Sequence, residues 1–426
     1  MTTRSEYQAP IQPFMGLWQT AGFTEPTPIQ KAVYWPLKQG EPVLGLAATG
    51  KGKTLAFGLP LLETLQPGQG TQLLILEPSA ELVMQVREVL RPYAAAVDLK
   101  IQGVVGKANL KRQLTQLKEH PEVIVATVGR LTELLGQRQI KPDRLTTLVI
   151  DEADLQLDPE HIGATRELIS KFPADVQLAL MSATEQPIFK ELAQWFGYDF
   201  VRCDTRAIDQ QQQQTAHDFL IVGNHHKAEL MKQLARGPIS GDHALVFVRH
   251  QGQAQTLFKT LKYINLKVGM LTGRESSQER QRIMQQFRQG KLTYLVTTEL
   301  AARGLDFAGL SFVINYDMPA DLTSYIHRAG RTGRMAHQGT VINLGNDHDR
   351  RDLQKLVAPH YRIQTVYLLE KHLQTEKPLK TRPNREKNWS MPKADTPQSR
   401  EKAPELRKKT HKKKRFRDQK NIGKHR

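Results

Sequence analysis

One cysteine, Cys203, serves the whole chain of 426 residues. That excludes an internal disulfide and any multi-thiolate zinc site, and the expected compartment is a reducing, cytoplasmic one. No apolar run reaches the roughly 18 residues that a membrane-spanning helix needs, so no membrane is expected among the partners. The first residues, MTTRSEYQAP, lack the apolar stretch of a secretory leader, which argues against secretion. Aromatic residues are few, at 7%, yet apolar residues make up 39% and charged residues 24%. Such proportions allow real cores and exclude a wholly disordered chain. A prior of roughly 150 residues per domain suggests two to three domains.

Acidic residues are scarce at the C-terminal end. Residues 371–426 hold 20 basic and 6 acidic side chains, a net +14 of the formal +18. The same segment carries Pro378, Pro383, Pro392, Pro397 and Pro404 with few aliphatic residues, so it cannot bury enough surface to fold alone and is expected to be disordered. A solvated, solubilising tail is the plain reading. KKTHKKKRFR (Lys408–Arg417) is dense enough to favour an arm for a polyphosphate, since each neutralised phosphate releases condensed counterions. A nuclear-localisation run would look similar.

Between about residue 40 and residue 185, short apolar runs alternate with helical patterns. LLILE (Leu73–Glu77), VIVAT (Val123–Thr127), TLVID (Thr147–Asp151) and LALMSAT (Leu178–Thr184) read as parallel strands buried on both faces. Stretches such as AELVMQVREVLRPYA between them give a βαβα rhythm. The rhythm breaks at DTRAIDQQQQQTAHD, where Gln210–Gln214 read as a polar linker. It resumes with ALVFVRH (Ala244–His250), TYLVTTE (Thr293–Glu299), SFVINYDMP (Ser311–Pro319) and TVINLG (Thr340–Gly345). The predicted architecture is two α/β lobes, residues 1–205 and 217–370, a linker at 206–216 and a basic tail at 371–426. Ligands of open parallel sheets sit beyond the carboxyl ends of the strands, where the motifs fall.

AATGKGKT (Ala47–Thr54) follows the strand-like VLGL and precedes the helical LAFGLPLLETL. A loop in that place aims backbone N–H groups and a helix dipole at phosphates. Gly50 and Gly52 permit the tight backbone, Lys53 reaches terminal phosphates, and the Thr54 hydroxyl suits Mg²⁺. Ala47 stands where the general pattern has its first glycine. DEAD (Asp151–Asp154) closes the strand TLVID; Asp151 there suits Mg²⁺ through water, and Glu152 suits deprotonation of an attacking water. HRAGRTGR (His327–Arg334) offers Arg328, Arg331 and Arg334 at every third position. Guanidinium groups suit a transferring phosphoryl because they are always charged and bind bidentately.

This series resembles the DEAD-box ATP-dependent RNA helicases, superfamily 2 proteins built of two tandem RecA-like lobes. The resemblance runs over roughly residues 5–345 and implies an RNA-dependent ATPase that uses ATP and Mg²⁺. GFTEPTPIQ (Gly22–Gln30) matches the Q motif, which implies adenine recognition by Gln30 and stacking by an upstream aromatic, Tyr7 or its rival Phe14. AATGKGKT matches motif I, so Ala47, Ala48, Thr49, Gly50, Lys51, Gly52, Lys53 and Thr54 would surround the phosphates. DEAD and SAT (Ser182–Thr184) match motifs II and III, which implies coupling between lobes through Asp154, Ser182, Thr184 and His327. TTELAARGLDF (Thr297–Phe307) matches motif V, with Asp306 at the ribose. HRAGRTGR matches motif VI, with Arg331 and Arg334 as arginine fingers. Carried over in the same way, Ser79, Thr127, Gly129, Arg130, Arg280, Thr298 and Arg303 would contact RNA.

The departures lie on the RNA-facing side. The family's PTREL reads PSAEL (Pro78–Leu82), putting Ala80 in place of an arginine. Its double glycine reads Gly106-Lys107, its TPGR reads TVGR (Thr127–Arg130), its QxxR reads Ser277-Gln278-Glu279-Arg280, and its motif V aspartate is Glu299. The loss of a charge-assisted phosphate contact costs about 1.5–3 kcal/mol, which the tail offsets if it grips RNA without regard to sequence. Two functions compete at this point. One is an RNA-stimulated ATPase that unwinds short duplexes or remodels ribonucleoproteins as the lobes close. The other is an RNA-binding clamp or annealing chaperone dominated by the tail. The family default is a monomer, and the expected RNA is ribosomal.

Overall fold

The computed structural model describes residues 13–106, 109–211, 215–302, 310–333, 338–358 and 360–377. Tyr7, Lys107, Arg303, Asp306, Arg334 and the tail beyond residue 377 lie outside the described residues. Among those described, no helix is long and apolar enough to cross a membrane.

The continuous apolar runs become short strands with every residue covered, as in LLIL and VIVA. The first sheet comprises β1 (Val43–Leu46), β2 (Leu73–Leu76), β3 (Ile101–Val104), β4 (Val123–Ala126), β5 (Thr147–Ile150), β6 (Gln177–Ser182) and β7 (Val201–Asp204). Their order across the sheet is β3-β4-β2-β5-β6-β1-β7, all parallel. The second sheet comprises β8 (Thr215–Ile221), β9 (Ala244–Val248), β10 (Val268–Leu271), β11 (Tyr294–Thr298), β12 (Phe312–Asn315), β13 (Gly339–Gly345), β14 (Gln364–Leu369) and β15 (His372–Gln374). Its order is β10-β11-β9-β12-β13-β8-β14-β15, parallel except for the final hairpin. Helices cover both faces of each sheet, which is why the strands are apolar throughout instead of alternating. Leu73 and Ile75 pack under the helix Lys53–Leu62, and Leu74 and Leu76 pack into the opposite face. The chain thus forms two parallel α/β sheets of the RecA-like kind.

Two boundaries differ from those read in the sequence. Residues 206–216, read as linker, contain the helix Arg206–Gln211 and the first residues of β8. The helix starts because the Asp204 carboxylate accepts the Arg206 N–H at 3.2 Å. At the other end the hairpin partner β15 carries pairing past residue 370, Leu368 opposite Leu373. Phe14, the rival to Tyr7 for a base-stacking ring, is 0% exposed and lies edge-on to Tyr93 in the core. It has no free face for a base.

Candidate active site

The loop between β1 and the helix Lys53–Leu62 is built around two glycines with positive φ, Gly50 at 78° and Gly52 at 81°. L-residues with a Cβ rarely adopt this conformation. A Cβ on Gly52 would fall 2.7 Å from the Gln30 amide nitrogen, so the Gln30 side chain would have to move. Ala47 donates its N–H to Ser182 O at 3.1 Å, and Lys51 donates to Ala48 O at 3.4 Å. The Lys53 ammonium donates to Ala47 O at 3.0 Å and is buried. Thr54 is in the first turn of the helix, half-buried. Gln30 accepts the Thr27 N–H at 2.8 Å, closing the first turn of the helix Pro28–Lys38, and donates to Gly52 O at 3.3 Å. An amide has two N–H groups and two acceptor lone pairs, so one of each remains for a ligand.

β5 ends at Ile150 and delivers Asp151 and Glu152 beside this loop. Asp151 accepts the Glu152 N–H at 2.9 Å. Glu152 takes left-handed backbone angles, φ 47° and ψ 48°, a conformation that costs a non-glycine residue about 1–2 kcal/mol. Strain of this size collects at functional sites. Burial, reinforced by the Glu152 charge and opposed by Lys53, lifts the Asp151 carboxyl to about 7. Glu77, at the end of the neighbouring β2, is pushed well above the carboxylate range by burial first and then by Asp151 and Glu152. The buried carboxyls of Glu77 and Asp151 therefore share one ammonium, that of Lys53. An all-oxygen set with excess negative charge fits a hard divalent cation such as Mg²⁺, which Thr54 and Asp151 would hold.

The second sheet completes the arrangement. From the helix Leu322–Ala329, His327 Nε2 lies 3.2 Å from Asp154 Oδ2 and 3.8 Å from Glu152 Oε2. Asp154 Oδ2 also accepts the Thr184 hydroxyl. Ser182 Oγ accepts the Thr184 N–H at 3.1 Å and donates to Thr184 O at 2.7 Å, which fixes the SAT turn. Gln186 spans the lobes, donating to Thr184 Oγ1 and Thr323 Oγ1, each at 3.4 Å. Gly330 lies so close to Thr49 that a Cβ on it would overlap the threonine hydroxyl. Arg331 donates from Nε to His327 O at 3.3 Å, next to the DEAD carboxylates.

Elements from both sheets therefore bring together a glycine-built loop, a carboxylate pair and an arginine. Matching family models cover the same ground: DEAD/DEAH box helicase over residues 27–192 and helicase conserved C-terminal domain over residues 226–336. The probable ATP-dependent RNA helicase YfmL of Bacillus subtilis (strain 168) is 36% identical over 344 residues, which span 80% of this chain and 90% of that protein. The chain belongs to the DEAD-box ATP-dependent RNA helicases. Among solved structures, S. cerevisiae Dbp5 bound to RNA and ADP BeF3 matches 84% of this DEAD-box chain and 93% of its own, at 26% identity and a TM-score of 0.75. A variant of the same yeast protein bound to Nup159, a Gle1 variant, IP6 and ADP scores 0.58, at 25% identity over 84% and 95% of the two chains.

Of the residues expected to meet RNA, Ser79, Thr127, Gly129, Arg130 and Thr298 lie at helix N-termini beyond β2, β4 and β11, where backbone N–H groups suit phosphates. Ser79 caps the helix Ala80–Ala95, accepting the Leu82 N–H at 3.3 Å, and Ala80 is its first residue. Thr127 precedes the helix Val128–Gly136, which carries Gly129 and Arg130, and Arg130 pairs with Glu133 at 3.3 Å. Thr298 ends β11 and accepts the Ala301 N–H at 3.4 Å. Arg280 is already engaged: it donates to Ala301 O at 2.8 Å and lies 3.0 Å from Glu81 of the other lobe. Glu299 reaches Arg328 at 3.5 Å, a use for its extra methylene.

Two residues near the loop escaped the sequence reading. Asp209, in the supposed linker, is buried and accepts the Ala48 N–H at 2.9 Å. Glu77 lies just past β2, and an acid closing a buried apolar run is the same signal that marks Asp151.

Proposed function

We propose that this chain is an RNA-dependent ATPase that unwinds short RNA duplexes or remodels ribonucleoproteins through ATP-driven closure of its two lobes. The observation that carries it is the contact of His327, from the second sheet, with Asp154 and Glu152 of the first. This contact joins the DEAD carboxylates to the helix Leu322–Ala329, which leads into Arg331. The greater likeness to the yeast protein with RNA and ADP BeF3 than to the variant with ADP and protein partners supports reading this arrangement as the closed one.

In this reading Gln30 holds adenine, with Tyr7 stacked on it and Asp306 at the ribose. Lys53 and the N–H groups from Ala48 to Thr54 hold the phosphates. Mg²⁺ held through Thr54 and Asp151 would neutralise charge on the terminal phosphate oxygens. Glu152 accepts the proton of the attacking water, and Arg331 and Arg334 offset the charge that develops on the transferring phosphoryl. Ser79, Thr127, Gly129, Arg130, Arg280, Thr298 and Arg303 hold the RNA backbone. Contacts to phosphate and sugar carry no base information, so no sequence preference arises there, and 2′-hydroxyl contacts favour RNA over DNA. ATP and RNA drive closure only to the extent that they bind the closed state more tightly than the open one. The setting we propose is a cytoplasmic monomer acting on ribosomal RNA, with the tail as a sequence-independent grip.

The test is strand separation of matched short RNA and DNA duplexes by the full chain with ATP. Separation of the RNA duplex alone, abolished by Glu152→Gln, is expected. Equal RNA handling by wild type and Glu152→Gln would replace the helicase reading with the clamp.

A further inference from the structure

Glu77 is fully buried, and neither of its carboxylate oxygens accepts a hydrogen bond from any described residue. Its position is fixed by backbone. Its N–H donates to Ala126 O of β4 at 2.9 Å, and the Asp151 N–H donates to Leu76 O at 3.1 Å. Glu77 and Asp151 thus stand side by side at the carboxyl ends of β2 and β5, one residue past the register pair Leu76–Ile150. The Gln156 amide clamps these two strand ends, donating to Leu76 O at 2.9 Å and to Asp151 O at 2.6 Å.

Side chains alternate along a strand. Leu73 and Ile75 of β2 and Val149 of β5 lie in the core under the helix Lys53–Leu62. Glu77 and Asp151 continue those rows, so both face the helix that carries Lys53 and Thr54. An acid at this depth is a poor structural choice: unpaired burial disfavours either protonation state, and a neutral carboxyl would still leave its O–H without an acceptor. Among the described residues the Lys53 ammonium acts on Glu77, but it is shared with Asp151 and already donates to Ala47 O.

We infer that Glu77 is a further anchor of the nucleotide's metal, its carboxylate accepting hydrogen bonds from water molecules of the Mg²⁺ hydration shell beside Asp151. The inference rests on the nucleotide site proposed above. Mg²⁺ keeps several of its waters when protein-bound, and carboxylates that hold such outer partners tune the affinity of the site.

The experiment measures binding of a fluorescent ADP (mant-ADP) to the full chain while MgCl₂ is titrated, with parallel binding in EDTA. Wild type, Glu77→Gln and Glu77→Ala are compared, and thermal melts in EDTA are recorded for each. Glu77→Ala is expected to raise the Mg²⁺ midpoint roughly 10- to 100-fold, the range for loss of an outer-shell partner. Glu77→Gln, which keeps the shape and loses the charge, should fall between. Binding in EDTA should be unchanged or tighter, and both variants should melt at or above the wild-type temperature because an unpaired buried acid has gone. Equal Mg²⁺ midpoints in all three proteins would overturn the inference. So would equal losses in Mg²⁺ and in EDTA, which would make Glu77 a support of the loop. A wild type that binds no mant-ADP in either condition would instead overturn the nucleotide site itself, and one whose binding ignores Mg²⁺ would overturn the inference before any substitution is considered.

Discussion

Replacing His327 with alanine should uncouple the lobes without unfolding them. Asp154 is 2% exposed and His327 6% exposed, and they meet at 3.2 Å across the two sheets. Removing one partner of such a buried pair strands the other, at about 3–5 kcal/mol. With each 1.4 kcal/mol worth about tenfold, the closed population should fall by about two to three and a half orders of magnitude. Asp154 regains water when the lobes part, so the cost falls on closure and not on folding. RNA-stimulated kcat/KM for ATP should therefore drop at least about 100-fold while Tm moves by less than about 3 °C. The pH profile carries the same signature. Burial alone would lower the His327 pKa, but the Asp154 and Glu152 carboxylates outweigh it and the net shift is upward. Burial would likewise raise Asp154, but His327 and Thr184 hold it below the usual carboxylate range. A raised histidine pKa supports closure fully below the open-state value, roughly 6.5, and loses that support as pH rises through the closed-state value. The lowered aspartate pKa supports closure above the ordinary carboxylate range and loses that support as pH falls through its closed-state value. Wild-type coupling should therefore weaken on the alkaline side, and His327→Gln should flatten that limb. Activity within threefold of wild type, or a Tm that falls in step with activity, would refute this reasoning.

Other outcomes follow from single contacts. Phe14→Ala should cost about 3–5 kcal/mol of stability in a urea titration and leave nucleotide affinity of the folded fraction unchanged, since the ring serves the core. Gly330→Ala should abolish RNA stimulation through overlap with Thr49 while thermal melts match wild type. Arg280→Ala should weaken RNA binding by about 1.5–3 kcal/mol in fluorescence anisotropy. Glu81→Ala, which frees the arginine from a partly exposed pair worth at most about 1 kcal/mol, should not weaken it. A chain ending at residue 377 should keep RNA-stimulated hydrolysis with a higher RNA requirement and a shallower salt dependence, because phosphate neutralisation sets that slope.

The strand–loop–helix and the acid beside it are legible in the sequence because their signals are local. A glycine loop between a strand and a helix, and an acid closing a buried strand, each need only a few adjacent residues. The strands that went unread are short or carry polar residues: IQGV of β3 includes Gln102, and VRCD of β7 alternates at the sheet edge. Asp209 was hidden by the glutamines that follow it, whose polarity argues for linker, whereas a capped helix and one hydrogen bond to Ala48 hold that segment down. Arg280 shows the converse limit. Its motif implies an RNA contact, but its partner Glu81 is about 200 residues away in sequence, and no periodicity reports such a distant pairing.

Steady-state ATP hydrolysis by the full chain, with and without a mixed RNA and beside Glu152→Gln, tests the central claim most directly. The account predicts hydrolysis that RNA stimulates in wild type and that neither condition raises above background in the variant. Wild-type hydrolysis no greater than the Glu152→Gln background, with RNA binding intact, would contradict it.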